Sequence, residues 1–225
     1  QKEDIKDAKD TGERKDYNKW TIELTAGQSK GTRPFTEGYF SSNPDSFFGT
    51  VNVNTFSVGV RYMFSSRFGL KVDVSSDRFE NNKNTTSLDF QLQQYRVGFQ
   101  GVVNASRLFN IQKELGRLSL LVHAGIQISQ STPKLKADQY LADYYYNKSE
   151  YNGGVMFGIS PEVRISKKFS IIGDFSTISN FRQHFTWDGR LNDEKNNLSG
   201  QMIMASLGVT YSFGKDELHG DWAII

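Results

Sequence analysis

The chain has 225 residues, a length that suits one domain, with 27 lysines and arginines against 25 aspartates and glutamates and a formal charge of +2. A charge so small and so evenly spread excludes a nucleic-acid surface, and the absence of cysteine excludes a disulfide framework, thiolate chemistry and cysteine metal sites. Only 37% of the residues are hydrophobic while 13% are aromatic, and no stretch approaches the roughly 18 apolar residues that a membrane helix needs. If this chain crosses a bilayer it does so as strands, with apolar residues on one side and a hydrated or polar surface on the other. It begins at Gln1 without a basic-then-apolar leader, as expected of an exported chain after signal removal.

Residues 1–19 set Lys2, Lys6, Lys9, Arg14, Lys15 and Lys19 against Glu3, Asp4, Asp7, Asp10, Glu13 and Asp16. With almost nothing apolar to bury, they read as a solvated arm. Regular alternation starts at Trp20. Trp20, Ile22, Leu24 and Ala26 share one face, and Thr21, Glu23, Thr25 and Gly27 the other, which is the period of a strand. Residues 29–52, rich in Gly, Pro, Ser and Asn, read as a long loop. A second strand puts Phe56, Val58, Val60, Tyr62 and Phe64 on its apolar side with Arg61 and Met63 opposite. After a tight turn at 65–67, a third strand returns with Phe68, Leu70, Val72 and Val74 outward and Lys71 and Asp73 inward, ending at a polar loop near 80–87.

The fourth strand changes phase: Leu88, Phe90 and Leu92 alternate one way, and Tyr95, Val97, Phe99 and Val103 the other. A bulge near Gln93 would reconcile the two, and the second half points Arg96, Gly98 and Gln100 inward. After a connection at 106–116, the fifth strand has Leu118, Leu120, Val122, Ala124, Ile126 and Ile128 outward, with His123 and Gln127 inward and Leu121 breaking the polar rule. Residues 131–152 form a loop with Tyr140, Tyr144, Tyr145 and Tyr146. A sixth strand shows Val155, Phe157, Ile159, Val163 and Ile165 outward and Glu162 and Arg164 inward. Its Pro161 calls for a local bulge or a weak ladder position. A short turn at 166–168 leads to a seventh strand, with Phe169, Ile171, Gly173 and Phe175 outward and Asp174 inward. A loop over 179–198 precedes the eighth, from about Gln201 to Phe213.

Eight strands with largely alternating short and long connections predict an all-β fold, an antiparallel up-and-down transmembrane barrel over 20–213, followed by a tail at 214–225. Trp20, Phe64, Phe68, Phe169, Tyr211 and Phe213 fall at strand ends beside short turns or termini, where an interfacial girdle lies. The inward charges Glu23, Arg61, Lys71, Asp73, Arg96, Glu162, Arg164 and Asp174 balance in sign. An eight-stranded barrel is just wide enough for side chains to fill, so these charges are expected to pair in a closed network and leave no open pore.

Three histidines are the candidate general bases: His123 in mid-strand, His184 close to Asp188, and His219 in the tail. None has a matched nucleophile, so no catalytic, cofactor or metal residue is assigned and the chain is read as a non-enzyme.

The last strand carries polar-x-Gly-x-x-aromatic-x-aromatic, met by Ser206, Gly208, Tyr211 and Phe213. This resembles the closing-strand signal of bacterial outer-membrane β-barrels. Residues 19–214 as a whole resemble the N-terminal eight-stranded barrel of OmpA-like outer-membrane proteins. The run Tyr211-Ser-Phe-Gly-Lys, then charges, then Asp221-Trp222 resembles the junction to a peptidoglycan-binding domain in Bacteroidota-type members. No residue here is assigned to cell-wall binding, which would need a domain outside this sequence. The resemblance implies an outer-membrane location among phospholipid and lipopolysaccharide, both termini periplasmic, and a structural role as an anchor that displays loops and tethers a periplasmic extension. The alternative is an accessory subunit of an outer-membrane assembly or secretion complex, with other outer-membrane proteins as partners. A narrow porin or a loop-based hydrolase ranks below both.

Overall fold

The computed structural model describes residues 17–40, 51–81, 86–135, 147–192, 198–215 and 218–222. The alternating segments form β1 (Trp20–Arg33), β2 (Thr55–Met63), β3 (Phe68–Glu80), β4 (Gln91–Asn104), β5 (Leu118–Pro133), β6 (Glu150–Arg164), β7 (Phe169–Gln183) and β8 (Leu198–Phe213). Each pairs antiparallel with the next, and β8 pairs with β1 to close the cylinder. Closure leaves no edge whose backbone groups would go unpaired, which is the condition for placing strands in hydrocarbon. At the seam Gly208 stands opposite Thr25, and a Cβ built on it would lie 2.0 Å from the Leu24 carbonyl oxygen. The glycine of the closing pattern therefore permits the close approach of β8 to β1.

Sidedness follows the period of two. Leu24, Val58, Leu70, Val97, Ile126, Phe157, Ile171 and Val209 are exposed on the outer wall, while Glu23, Arg61, Asp73, Arg96, His123, Glu162 and Asp174 are buried inside. The short turns explain the repeat shared by β3 and β7. Ser65 Oγ accepts the Phe68 N–H at 3.0 Å, and Ser166 Oγ accepts the Phe169 N–H at 3.1 Å. In both, a serine hydroxyl substitutes for a backbone acceptor and sets the return strand in the same phase. These turns, the start of β1 and the end of β8 share one end of the barrel, the terminal end; the long connections leave from the other, the loop end.

Several expectations are corrected. There is no bulge at Gln93: β3 and β4 keep one register from Phe68↔Val103 to Glu80↔Gln91. Phe90 and Leu92 point into the barrel because its interior becomes apolar near the loops, so the chemistry of the inner face changes while the ladder does not. Pro161 takes the second of its two expected forms, a weak ladder position. It pairs opposite Leu120, and β6 and β7 hold the same register on either side of it, so the missing N–H only thins the ladder there. The strands run further toward the loops than the alternation indicates, β1 to Arg33 and β7 to Gln183. The connection after β4 contains two one-turn helices, α1 (Ala105–Leu108) and α2 (Gln112–Leu115), the first capped by Asn104, which accepts the Arg107 N–H. Arm residues 1–16 and the tyrosines at 140 and 144–146 lie outside the described residues.

Candidate functional site: the filled lumen and its two closures

The lumen is stacked in layers, and alternation dictates which side chains enter each. In the layer nearer the terminal end, Arg61 of β2 organises carboxylates from three directions. Its Nε donates to Glu23 Oε1 at 2.6 Å, its Nη2 to Glu162 Oε2 at 3.2 Å, and its Nη1 to Asp221 Oδ2 at 2.5 Å. Lys71 Nζ meets the other Glu23 oxygen at 2.7 Å, and Thr210 donates to Glu162 at 2.9 Å. Arg61 is 1% exposed, so desolvation of its charge is offset only by this saturation with partners.

Above it lies a relay of polar side chains. Gln100 joins Asp73 to His123, donating to Asp73 Oδ2 while its carbonyl lies 2.5 Å from His123 Nδ1. The other ring nitrogen of His123 is 2.9 Å from Asp174 Oδ2. Ser160 donates to the same carboxylate at 2.7 Å, and Ser176 to its second oxygen. Higher still, Asp77 accepts from Thr55 Oγ1 at 2.6 Å and pairs with Arg96 at 3.2 Å.

The eight charges singled out in the sequence thus fall into separate groups. Glu23, Arg61, Lys71 and Glu162 meet directly; Asp73 and Asp174 flank the Gln100 and His123 bridge; Arg96 meets Asp77. Arg164 is the correction. It lies at the terminal mouth with its guanidinium 5.4 Å from the centre of the Trp222 ring, outside the ion network.

Side chains of the described residues pack across each end of the lumen. At the loop end, Tyr39, Phe79, Phe90, Leu92, Met156, Ile178, Trp187 and Met202 form a buried apolar cluster against which Phe35 packs. Phe79 and Trp187 have ring centres 4.7 Å apart. At the terminal end the tail turns back after β8, and residues 218–222 enter the mouth. The Gly220 N–H donates to the Asn18 carbonyl and the Asn18 N–H to the Leu218 carbonyl, both at 2.9 Å. His219 lies 2.9 Å from Thr21 Oγ1 and 2.8 Å from Asp221, and the Asp221 carbonyl accepts from Arg107 Nε at 3.2 Å. Burial alone would push the Asp221 carboxyl up. Arg61, with His219 beside it, outweighs that and holds it well below the usual carboxylate range.

The sequence reading missed Asp77, His219 and Asp221 as lumen groups. Asp77 keeps the phase of Asp73 and Ser75, so extending the third strand by two residues finds it. No alternation marks the tail. His184 does not meet Asp188: it pairs with Glu150 at 3.1 Å, and Asp188 accepts the Thr36 N–H at 2.9 Å.

The six girdle aromatics sit at the rim of the terminal end. Trp20 is 47% exposed and packs on Tyr62 and Phe213 at 4.7 and 6.5 Å between ring centres; Phe169 and Tyr211 are 4.9 Å apart. Phe64, in the turn between β2 and β3, and Phe68, the first residue of β3, are exposed. Of the closing pattern, Ser206, Gly208, Tyr211 and Phe213 all lie in the β8 ladder to β1.

A closed eight-stranded antiparallel barrel, apolar outside and ion-paired within, is the architecture of outer-membrane β-barrel proteins, and this chain has that fold. No family model matches the chain, and no curated protein is similar to it in sequence. Solved structures do match. Neisserial surface protein A is similar over 86% of this chain and 97% of its own, with 14% identity and a TM-score of 0.50. A major outer membrane protein from Thermus thermophilus matches over 88% of this chain and 100% of its own, with 11% identity and a TM-score of 0.51. The outer membrane protein OprG from Pseudomonas aeruginosa matches over 88% and 96%, with 9% identity and a TM-score of 0.51.

Proposed function

We propose that this chain is an outer-membrane anchor. Its wall sits among phospholipid and lipopolysaccharide, its lumen is filled by its own side chains, its long loops are displayed outside the cell, and both ends of the chain face the periplasm, where a further segment is tethered. The observation that carries this reading is the doubly covered interior: an apolar plug around Trp187 at one mouth, Asp221 and Trp222 at the other, and buried ion pairs between. Such an interior supports mechanical and display roles over permeation. Two measurements test it. Purified protein in planar bilayers is expected to give no stable conductance, and a large steady one overturns the filled lumen. A tag placed within residues 41–50 is expected to be reachable on intact cells, and a C-terminal tag only after permeabilisation; the opposite pattern overturns the orientation.

A second reading, as accessory subunit of a larger outer-membrane complex, is favoured by one feature. The helical connection at the terminal end exposes Leu108, Phe109 and Ile111 together, Phe109 at 69%. A stoichiometric membrane partner retained after gentle detergent extraction, and lost in Phe109→Ser, is the result expected of that reading.

A further inference from the structure

We propose that the terminal mouth of the barrel is a peptide-binding site whose ligand is a glycine-aspartate-tryptophan segment, and that in this chain the site is filled in cis by residues 218–222.

The receptor side is built without help from the tail. Glu23 and Glu162 fix the Arg61 guanidinium through Nε and Nη2, which leaves Nη1 aimed at the mouth. Asn104 caps α1 and accepts from Ser119 Oγ at 3.3 Å, and this holds Arg107 beside the opening. Arg164 closes the far rim as the last residue of β6. With the tail removed, the acidic groups that meet Arg61 among the described residues are Glu23 and Glu162, and Glu23 is shared with Lys71, while Arg107 and Arg164 stand beside them. An empty mouth is therefore cationic and attracts an acidic chain.

The segment is held as a peptide ligand is held. Its backbone forms a parallel bridge between His219 and Asn18, which is strand addition in miniature. Gly220 passes over Tyr17 so closely that a Cβ there would lie 2.8 Å from the ring, so any larger residue has to displace that ring. Asp221 is 0% exposed and supplies the third carboxylate to Arg61, a charge-assisted contact of the stronger kind. Trp222, 5% exposed, is recognised by its face against Arg164. Glycine, acid and indole are thus each read by a different part of the mouth. The tether from Phe213 is so short that the cis segment competes at an effective concentration on the order of millimolar, so free ligand binds measurably only when the cis contacts are weakened.

The test uses the full chain carrying Asp221→Asn and Trp222→Ala, which weakens the occupant and leaves the receptor intact. A labelled peptide spanning residues 215–225 is titrated in detergent and followed by fluorescence anisotropy. Saturable binding is expected, at least tenfold tighter than for the same peptide bearing Asp221→Asn, and at least tenfold tighter than to the wild-type chain, whose mouth is full. Equal affinity for both peptides, or no binding, overturns the proposal. Trp222→Ala alone serves as a second, milder receptor and is judged by the same outcomes. If neither variant folds, the tail is an obligatory part of the barrel and not an exchangeable ligand, which also ends the proposal.

Discussion

The indole N–H of Trp187 donates to the carbonyl oxygen of Arg33 at 2.7 Å, which ties the last long connection to the end of β1 across 154 residues of chain. The same ring packs on Phe79, so one side chain both satisfies a backbone acceptor and forms the centre of the loop-end plug. Trp187→Ala is expected to cost about 3–5 kcal/mol, the usual range for emptying a buried aromatic site. Trp187→Phe, which keeps most of the volume and loses the donor, should cost about 1–3 kcal/mol. Denaturant unfolding in detergent checks both. Neither variant should conduct, because the Asp77 and Arg96 layer below remains in place.

Arg61 is the residue whose loss leaves most behind. Its removal takes the cation from the buried Glu162 and leaves Glu23 with Lys71 and Asp221 with His219, and Arg61→Gln is expected to destabilise by about 3–5 kcal/mol. Arg61→Lys should rescue little, since an ammonium lacks the planar fork that serves three acceptors at once. Urea titration of the refolded proteins measures the ordering. A wild-type-like Arg61→Lys would mean that charge alone, without geometry, holds the cluster.

The outer wall gives a depth-dependent test. Phe99 is in mid-strand, opposite Val72 and Ile126, whereas Phe169 is in the rim girdle. Phe99→Arg should cost about 2–4 kcal/mol in phospholipid vesicles and Phe169→Arg about 0–1 kcal/mol. Equal costs would argue against a wall in hydrocarbon.

Tail docking should resist acid. The Asp221 carboxyl has its proton affinity lowered on folding, so its contribution is fully present above the ordinary carboxylate value and is lost only as pH falls through the lower, folded one. Between pH 7 and about pH 4 the tail should therefore stay seated, whereas free carboxylates titrate near the lower limit. With Trp20 and Trp187 changed to Phe, Trp222 reports this through acrylamide quenching. A rise in quenching centred within the ordinary carboxylate range would contradict the prediction.

Most of the barrel was legible because one rule, apolar out and polar in, runs along every strand, with an exposed apolar wall on one side and paired charges on the other. Glu23, Arg61, Lys71 and Glu162 all follow from it. The rule weakens where the inside is itself apolar. Phe90 and Leu92 face the Trp187 cluster, so hydropathy no longer distinguishes their two faces and the phase change looks like a bulge. The tail is illegible for another reason: residues 218–222 have no periodicity, and their burial depends on contacts with Arg61 and Asn18 that lie far away in sequence.

The Arg61 cluster draws Glu23 from β1, Arg61 from β2, Lys71 from β3, Glu162 from β6 and Asp221 from beyond β8. A partly curled sheet already brings Glu23, Arg61 and Lys71 together on β1–β3, but Glu162 and Asp221 reach Arg61 only once the first and last strands meet. Carrying a half-closed sheet into hydrocarbon would therefore expose Glu162 and Asp221 unpaired, a cost that sealing the cylinder removes.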